Sequence, residues 1–177
     1  MVSQTIIDDF FGNYPHLKDR GIEVKSLPTL EYNCIAWSLA VSDKWLWPKT
    51  PDAPSKLVSR NTSNNGTSWS SPKKQDPTLE VFYDFYARKG FFPSKNGEDG
   101  RLEKGKTKIV LYVYPSKNGE TWVDHASRQL PNGQWASKLG EDVDIIHPFP
   151  RDMLDVYRHC TELRFLERAA GRRVVKR

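Results

Sequence analysis

Cysteine is scarce in this 177-residue chain: Cys34 and Cys160 are the two thiols, in dissimilar contexts. Two cysteines cannot build a disulfide framework or a four-thiolate zinc site. Long apolar runs are missing too. The longest, Ile109–Tyr114, is far short of the roughly 20 residues a membrane helix needs. Residues 1–9 place no basic stretch ahead of an apolar one, so no secretory signal is expected. The expectation is a reduced, cytoplasmic protein, although an effector secreted without a signal would leave no mark here. No Cys-x-x-Cys or His-x-x-x-His pair occurs, and Gly97-Glu98-Asp99-Gly100 runs into Arg101 instead of a phosphate-loop Lys-Ser or Lys-Thr. Neither a metal nor a cofactor is expected.

What is present is aromatic and charged. Aromatic residues make up 12% of the chain, six of them Trp, and each buried ring removes about 150–250 Å² from water. Charged residues at 28% match an ordinary globular chain. The length suits one domain over 1–170, followed by a basic tail at 171–177. That tail holds Arg172, Arg173, Lys176 and Arg177 and accounts for most of the net charge of +5. A solvated tail is expected over a nucleic-acid contact.

Local patterns place the elements. Ser3 can cap a helix carrying Ile6, Ile7, Phe10 and Phe11, ended by Gly12 and Pro15. A second helix of about ten residues begins after Asn33, with Ile35, Ala36, Leu39 and Ala40 on one side, and ends near Trp47-Pro48. Residues 48–77 read as a loop, with Trp69 isolated in it. A third helix opens with Pro77 at its first position and stops at Gly90. Ile109–Tyr114 reads as a buried strand, and Trp122–Arg128 and Gln134–Leu139 as a hairpin turning at Asn132-Gly133. Ile145-Ile146 continues the sheet, and Asp152–Arg168 is assigned to a helix. Helices first and an antiparallel meander after them argue for an α+β fold.

Chemistry concentrates at Cys34. A thiol at a helix start meets free backbone amides and the positive end of the helix dipole, which favour thiolate and can hold an oxyanion. Asn33 is the N-cap candidate. His125, far along the chain on a strand, is the candidate general base. A third group would orient the imidazole: Ser137 on the next strand, or Glu141, Asp142 or Asp144 beyond it. Gln129 is a candidate oxyanion donor, Trp37 a candidate wall of the thiol pocket, and Arg128 and Lys138 candidate contacts to a carboxylate or phosphate. Trp45 and Trp47 form either a core lid or a groove for an aromatic or peptide substrate. Cys160 is expected to be a packing residue.

These residues sit in longer motifs: Asn33-Cys34-Ile35-Ala36-Trp37-Ser38, Trp45-Leu46-Trp47-Pro48, and His125-Ala126-Ser127-Arg128-Gln129-Leu130. Trp135-Ala136-Ser137-Lys138-Leu139-Gly140 and Ile145-Ile146-His147 follow. Over residues 30–150 the pattern resembles a family of small, mostly bacterial proteins of uncharacterised function. That family is itself similar to papain-like and NlpC-type cysteine hydrolases. The resemblance implies a papain-like α+β domain, its Cys-bearing helix packed on the meander, with a Cys34–His125 pair; Ser137 stands where His, Asn or Gln is common. The expected activity is hydrolysis or acyl transfer at an amide or isopeptide bond of a protein or peptide. The alternative is a non-catalytic interaction module, linked to defence, immunity or phage, that binds a protein partner through its Trp-rich loop.

Overall fold

Ser3 accepts a hydrogen bond from the Ile6 amide and starts helix α1, Gln4–Asn13, as the capping pattern anticipates. The fold is that of a computed structural model describing residues 2–47, 77–95 and 100–170. The 48–76 stretch with Trp69, and the basic tail 171–177, lie outside the described residues. After a 3-10 turn at Pro15–Leu17 come β1 (Glu23–Val24), α2 (Cys34–Ser38), α3 (Leu79–Ala87) and β2 (Phe92–Pro93). The rest of the sheet follows: β3 (Lys106–Pro115), β4 (Thr121–Gln129), β5 (Trp135–Lys138), β6 (Asp144–His147) and β7 (Glu162–Ala169). A 3-10 helix, Pro150–Asp155, precedes β7.

The strands form one seven-stranded sheet in the order β1-β6-β5-β4-β3-β7-β2, antiparallel at every pairing. The expected meander is β3 to β6, with the β4–β5 hairpin turning at Asn132-Gly133, where Gly133 takes φ +88°. The architecture is α+β. Among the described residues no helix is long and apolar enough to cross a membrane.

Strand alternation divides the core in two. On β3, Ile109, Leu111 and Val113 face α2 and α3, joining Cys34, Ile35, Phe82, Tyr86, Val123, Ala126 and Leu166. Val110 and Tyr112 face the other way and join Phe10 of α1, Leu17, Trp135, Ile145, Met153 and Phe165. The first set defines the α2 face of the sheet and the second the α1 face. A β-bulge interrupts β4: Tyr112 lies opposite His125 and Val113 opposite Val123, leaving Asp124 as the extra residue.

Three expected elements differ. The helix after Asn33 is five residues, not about ten. It closes in a Schellman turn, with Val41 N–H on Ala36 O and Ala40 N–H on Trp37 O, and Ala40 takes a left-handed φ of 60°. The third helix starts two residues later than expected, at Leu79, because the Thr78 side chain caps it at Val81 N–H, while the Pro77 carbonyl accepts from Val123 N–H. Asp152–Arg168 is not a helix. Its first residues form the 3-10 turn and its last become β7, whose alternating Leu163, Phe165 and Leu166 fill both cores beside β3.

Candidate functional site

Asn33 does two jobs at the start of α2. Its Oδ1 accepts from Ala36 N–H at 3.0 Å, capping the helix, and from Leu46 N–H at 3.2 Å. Its Nδ2 donates to Leu46 O at 2.8 Å, so the 41–47 segment is tied to the same point. Trp45 Nε1 donates to Leu30 O, and Trp47 packs edge-on against Phe82. Both Trp side chains thus have structural contacts on this side. Cys34 follows Asn33 as anticipated, but it is 8% exposed and packs against the apolar α2 face. Burial pushes its thiol up to about 12, outweighing the downward pull of the Ala126 amide, and the Asp124 charge pushes the same way.

Beside the thiol lies a ladder of cations and rings. Lys138 Nζ sits 5.4 Å over the Tyr32 ring, Tyr32 stacks on Trp37 with centroids 5.4 Å apart, and the Arg128 guanidinium lies 4.1 Å over Trp37. Each cation–π contact contributes about 0.5–2 kcal/mol, more as water is excluded. Tyr32 OH donates to Asp144 Oδ2 at 2.6 Å. Asp144 is 4% exposed; burial raises its carboxyl above the usual range, against the lowering effect of Tyr32, Lys138 and Arg128. Burial likewise works against the charge of both Arg128 and Lys138. Neither cation forms an ion pair with Asp144 within 4.0 Å, and Lys138 Nζ donates instead to Asp142 O. Three buried atoms have no partner here: Asp144 Oδ1, Arg128 Nε and Trp37 Nε1.

The α1 face carries a separate polar chain. His147 Nδ1 meets Phe149 O at 2.8 Å, which makes it an N–H nitrogen, and Nε2 meets Ser137 Oγ at 2.9 Å. Ser137 Oγ meets Ser127 Oγ at 2.6 Å, Ser127 reaches Tyr112 OH, and Tyr112 OH donates to Pro150 O. The chain clamps β3, β4, β5 and β6 to the 3-10 helix. Burial lowers His147 to about 4.

The structure therefore separates the expected catalytic set. His125 lies opposite Tyr112 on the α1 face, fully buried, and neither ring nitrogen has a hydrogen-bond partner. Burial lowers it to about 3, with His147 pushing the same way. No Cys34–His125 hydrogen bond exists, because neighbouring residues on a strand point to opposite sides and Ala126, not His125, faces α2. Ser137 is paired with Ser127 and His147, away from Cys34. Gln129 also lies on the His125 side; its Nε2 donates to Gly100 O at 2.6 Å and cannot serve the thiol. Asn33, Trp37, Arg128 and Lys138 do gather with Cys34 on one face. Of the alternative orienting carboxylates, Asp144 belongs to the α2-face cluster, and Asp142 contributes its carbonyl.

Two members of the cluster escaped the sequence reading. Tyr32 carried no motif beyond its position before Asn33. Asp144 enters the sequence pattern only as a partner for His125, whereas its register opposite Lys138 follows from the β5–β6 pairing. A small antiparallel α+β domain with a basic–aromatic cluster on one face is the class these observations define. Residues 23–159 match the family described as Domain of unknown function (DUF7689), and the chain belongs to it. No curated protein and no solved structure matches the chain.

Proposed function

We propose that this domain is a non-catalytic recognition module that binds an acidic segment of a protein partner on its α2 face, with Arg128 as anchor. One observation carries the reading: Arg128 is pinned on Trp37 yet forms no ion pair among the described residues, and its neighbour Asp144 is already bound by Tyr32. A half-buried guanidinium with no counter-ion among the described residues has donors left for a carboxylate. Arg128 and Lys138 share this face with Asp144, and the charges of Asp142 and Glu141 also act on Lys138. Leu27 and Leu30, exposed at 58% and 54% in the segment leading to Tyr32, supply an apolar rim of the kind that accompanies charged anchors at interfaces.

The papain-like, NlpC-like hydrolase reading receives no comparable support. It requires an imidazole within reach of Cys34, whereas His125 and His147 are buried on the other face. His159 packs on Tyr114 and His16 near Tyr14, both among the side chains of the α1-face core. A thiol pushed up to about 12 also holds little thiolate near neutral pH.

Fluorescence titration with a hexaglutamate peptide carrying one leucine, and with its all-glutamine counterpart, tests the proposal. The acidic peptide is expected to bind, with affinity falling as salt rises. Arg128→Ala should weaken it at least about tenfold, or ~1.4 kcal/mol, while Cys34→Ser leaves it unchanged. Equal affinity for the two peptides, or no effect of Arg128→Ala, would overturn the assignment.

A further inference from the structure

A second cluster lies where the β4 bulge meets the turn before β7. Asp124, the extra residue of the bulge, faces His159 and Cys160: one donor atom from each side chain lies within 4.8 Å of the other two. The His159 Nε2 to Asp124 Oδ2 distance is 3.2 Å. Metal–donor bonds of about 2.0–2.3 Å at tetrahedral angles set donors roughly 3.3–3.5 Å apart, so this edge is already at coordination distance. Completing the triangle needs the sulfur to move in by about an ångström.

The backbone holds these donors in place. Cys160 N–H bonds to Tyr157 O at 2.9 Å, and Thr161 N–H bonds to Val113 O at 2.9 Å, opposite the bulge itself. The His159 ring stands edge-on to Tyr114 with centroids 4.7 Å apart. Cys160 is 5% exposed, while the His159 side chain is 53% exposed, so the sulfur forms a buried floor and the imidazole an open side. An ion can enter from solvent and keep water in a fourth position.

We propose that Asp124, His159 and Cys160 form a binding site for a Zn(II)-class ion, which ties the bulge of β4 to the turn at 157–160. Thiolate and imidazole donors select a borderline-soft ion over Mg(II) or Ca(II), and three protein ligands leave the fourth coordination position to water. On binding, the Cys160 S–H bond breaks, its proton passes to solvent and a sulfur–metal bond forms, without redox change. The site is separate from the Arg128 cluster and stands whether or not that surface binds a partner. Cys160 falls one residue beyond the family match at 23–159.

Titrating Co(II) into the full, reduced chain tests the site. A near-ultraviolet thiolate-to-Co(II) charge-transfer band should saturate at one equivalent and be bleached by Zn(II). His159→Ala, which removes an exposed side chain and leaves the core intact, should weaken binding at least about tenfold, and Cys160→Ser should abolish the band. Cys34→Ser should retain it. Absence of a thiolate band in the folded wild-type chain overturns the proposal. So does a band that survives in both His159→Ala and Cys160→Ser, or one that is lost in Cys34→Ser instead.

Discussion

His125 and Tyr157 lie ring to ring, with centroids 4.3 Å apart and planes inclined by 17°, on the α1 face of the sheet. The imidazole is thus a packing element whose nitrogens have no partner. A buried unsatisfied polar group costs about 1–3 kcal/mol.

His125→Phe should keep the ring contact and remove that cost. Urea denaturation is expected to show stability equal to the wild type or higher by up to about 1–2 kcal/mol. Alkylation of Cys34 should be unaffected. A slower Cys34 reaction in this variant would show that thiol and imidazole are coupled after all.

Acid should weaken the fold before most carboxylates titrate. In the unfolded chain both buried imidazoles take protons near pH 6.5; in the folded protein burial lowers His125 to about 3 and His147 to about 4. Below pH 6.5 the unfolded state therefore binds more protons, and stability present above that pH is lost as pH falls toward the folded values. The steepest slope is about 1.4 kcal/mol per pH unit for each histidine. Asp144 and Asp152, raised by burial, bind protons in the folded state and blunt the loss at the acid end. Urea midpoints should drop between about pH 7 and pH 5, and less so in His125→Phe; a flat profile would contradict the burial of both rings.

Iodoacetamide should label Cys34 and Cys160 slowly and at comparable rates near neutral pH. Burial pushes both thiols up to about 12. Labelling should accelerate about tenfold per pH unit on the alkaline side, following the thiolate fraction. Rapid, selective labelling of Cys34 at neutral pH would restore the nucleophile reading.

Tyr32→Phe keeps the stack on Trp37 but removes the hydroxyl from Asp144, whose other oxygen already has no partner. The expected loss is about 1–3 kcal/mol, read by chemical denaturation. Asp144→Asn placed on top of Tyr32→Phe should recover part of it, because a neutral amide is cheaper to bury than an unpaired carboxylate. Additive losses would argue that Asp144 does not depend on Tyr32.

Ala40→Gly should stabilise the chain. Ala40 occupies the left-handed position that closes α2, at φ 60°. Relief of the Cβ clash is worth up to about 1 kcal/mol, visible as a higher urea midpoint. Destabilisation would mean that the Ala40 methyl makes contacts worth more than the strain.

Features made by neighbours in the chain were legible from the residues. Ser3 capping α1, Asn33 capping the Cys34 helix, and the Asn132-Gly133 hairpin each depend on groups within about four positions of one another. β7 was not legible, because its residues become a strand only by pairing with β3, some fifty positions earlier. The Asp124–His159–Cys160 cluster was hidden for the same reason; it depends on a bulge whose extra residue meets a turn more than thirty positions away.

The candidate site divides along the same line. Alternation along β4 and β5 already put Arg128 and Lys138 on one set of positions and His125 and Ser137 on the other. A period of two says which side chains share a face, but nothing about which face a helix will cover. That choice rests with the docking of α2 on β4 and β5, a contact between distant segments that buries Ala126 and Ile35 in one apolar cluster. The residues by themselves determined the motif around Cys34, and the tertiary structure decided that it shares a face with Arg128, Lys138 and Asp144 and not with His125.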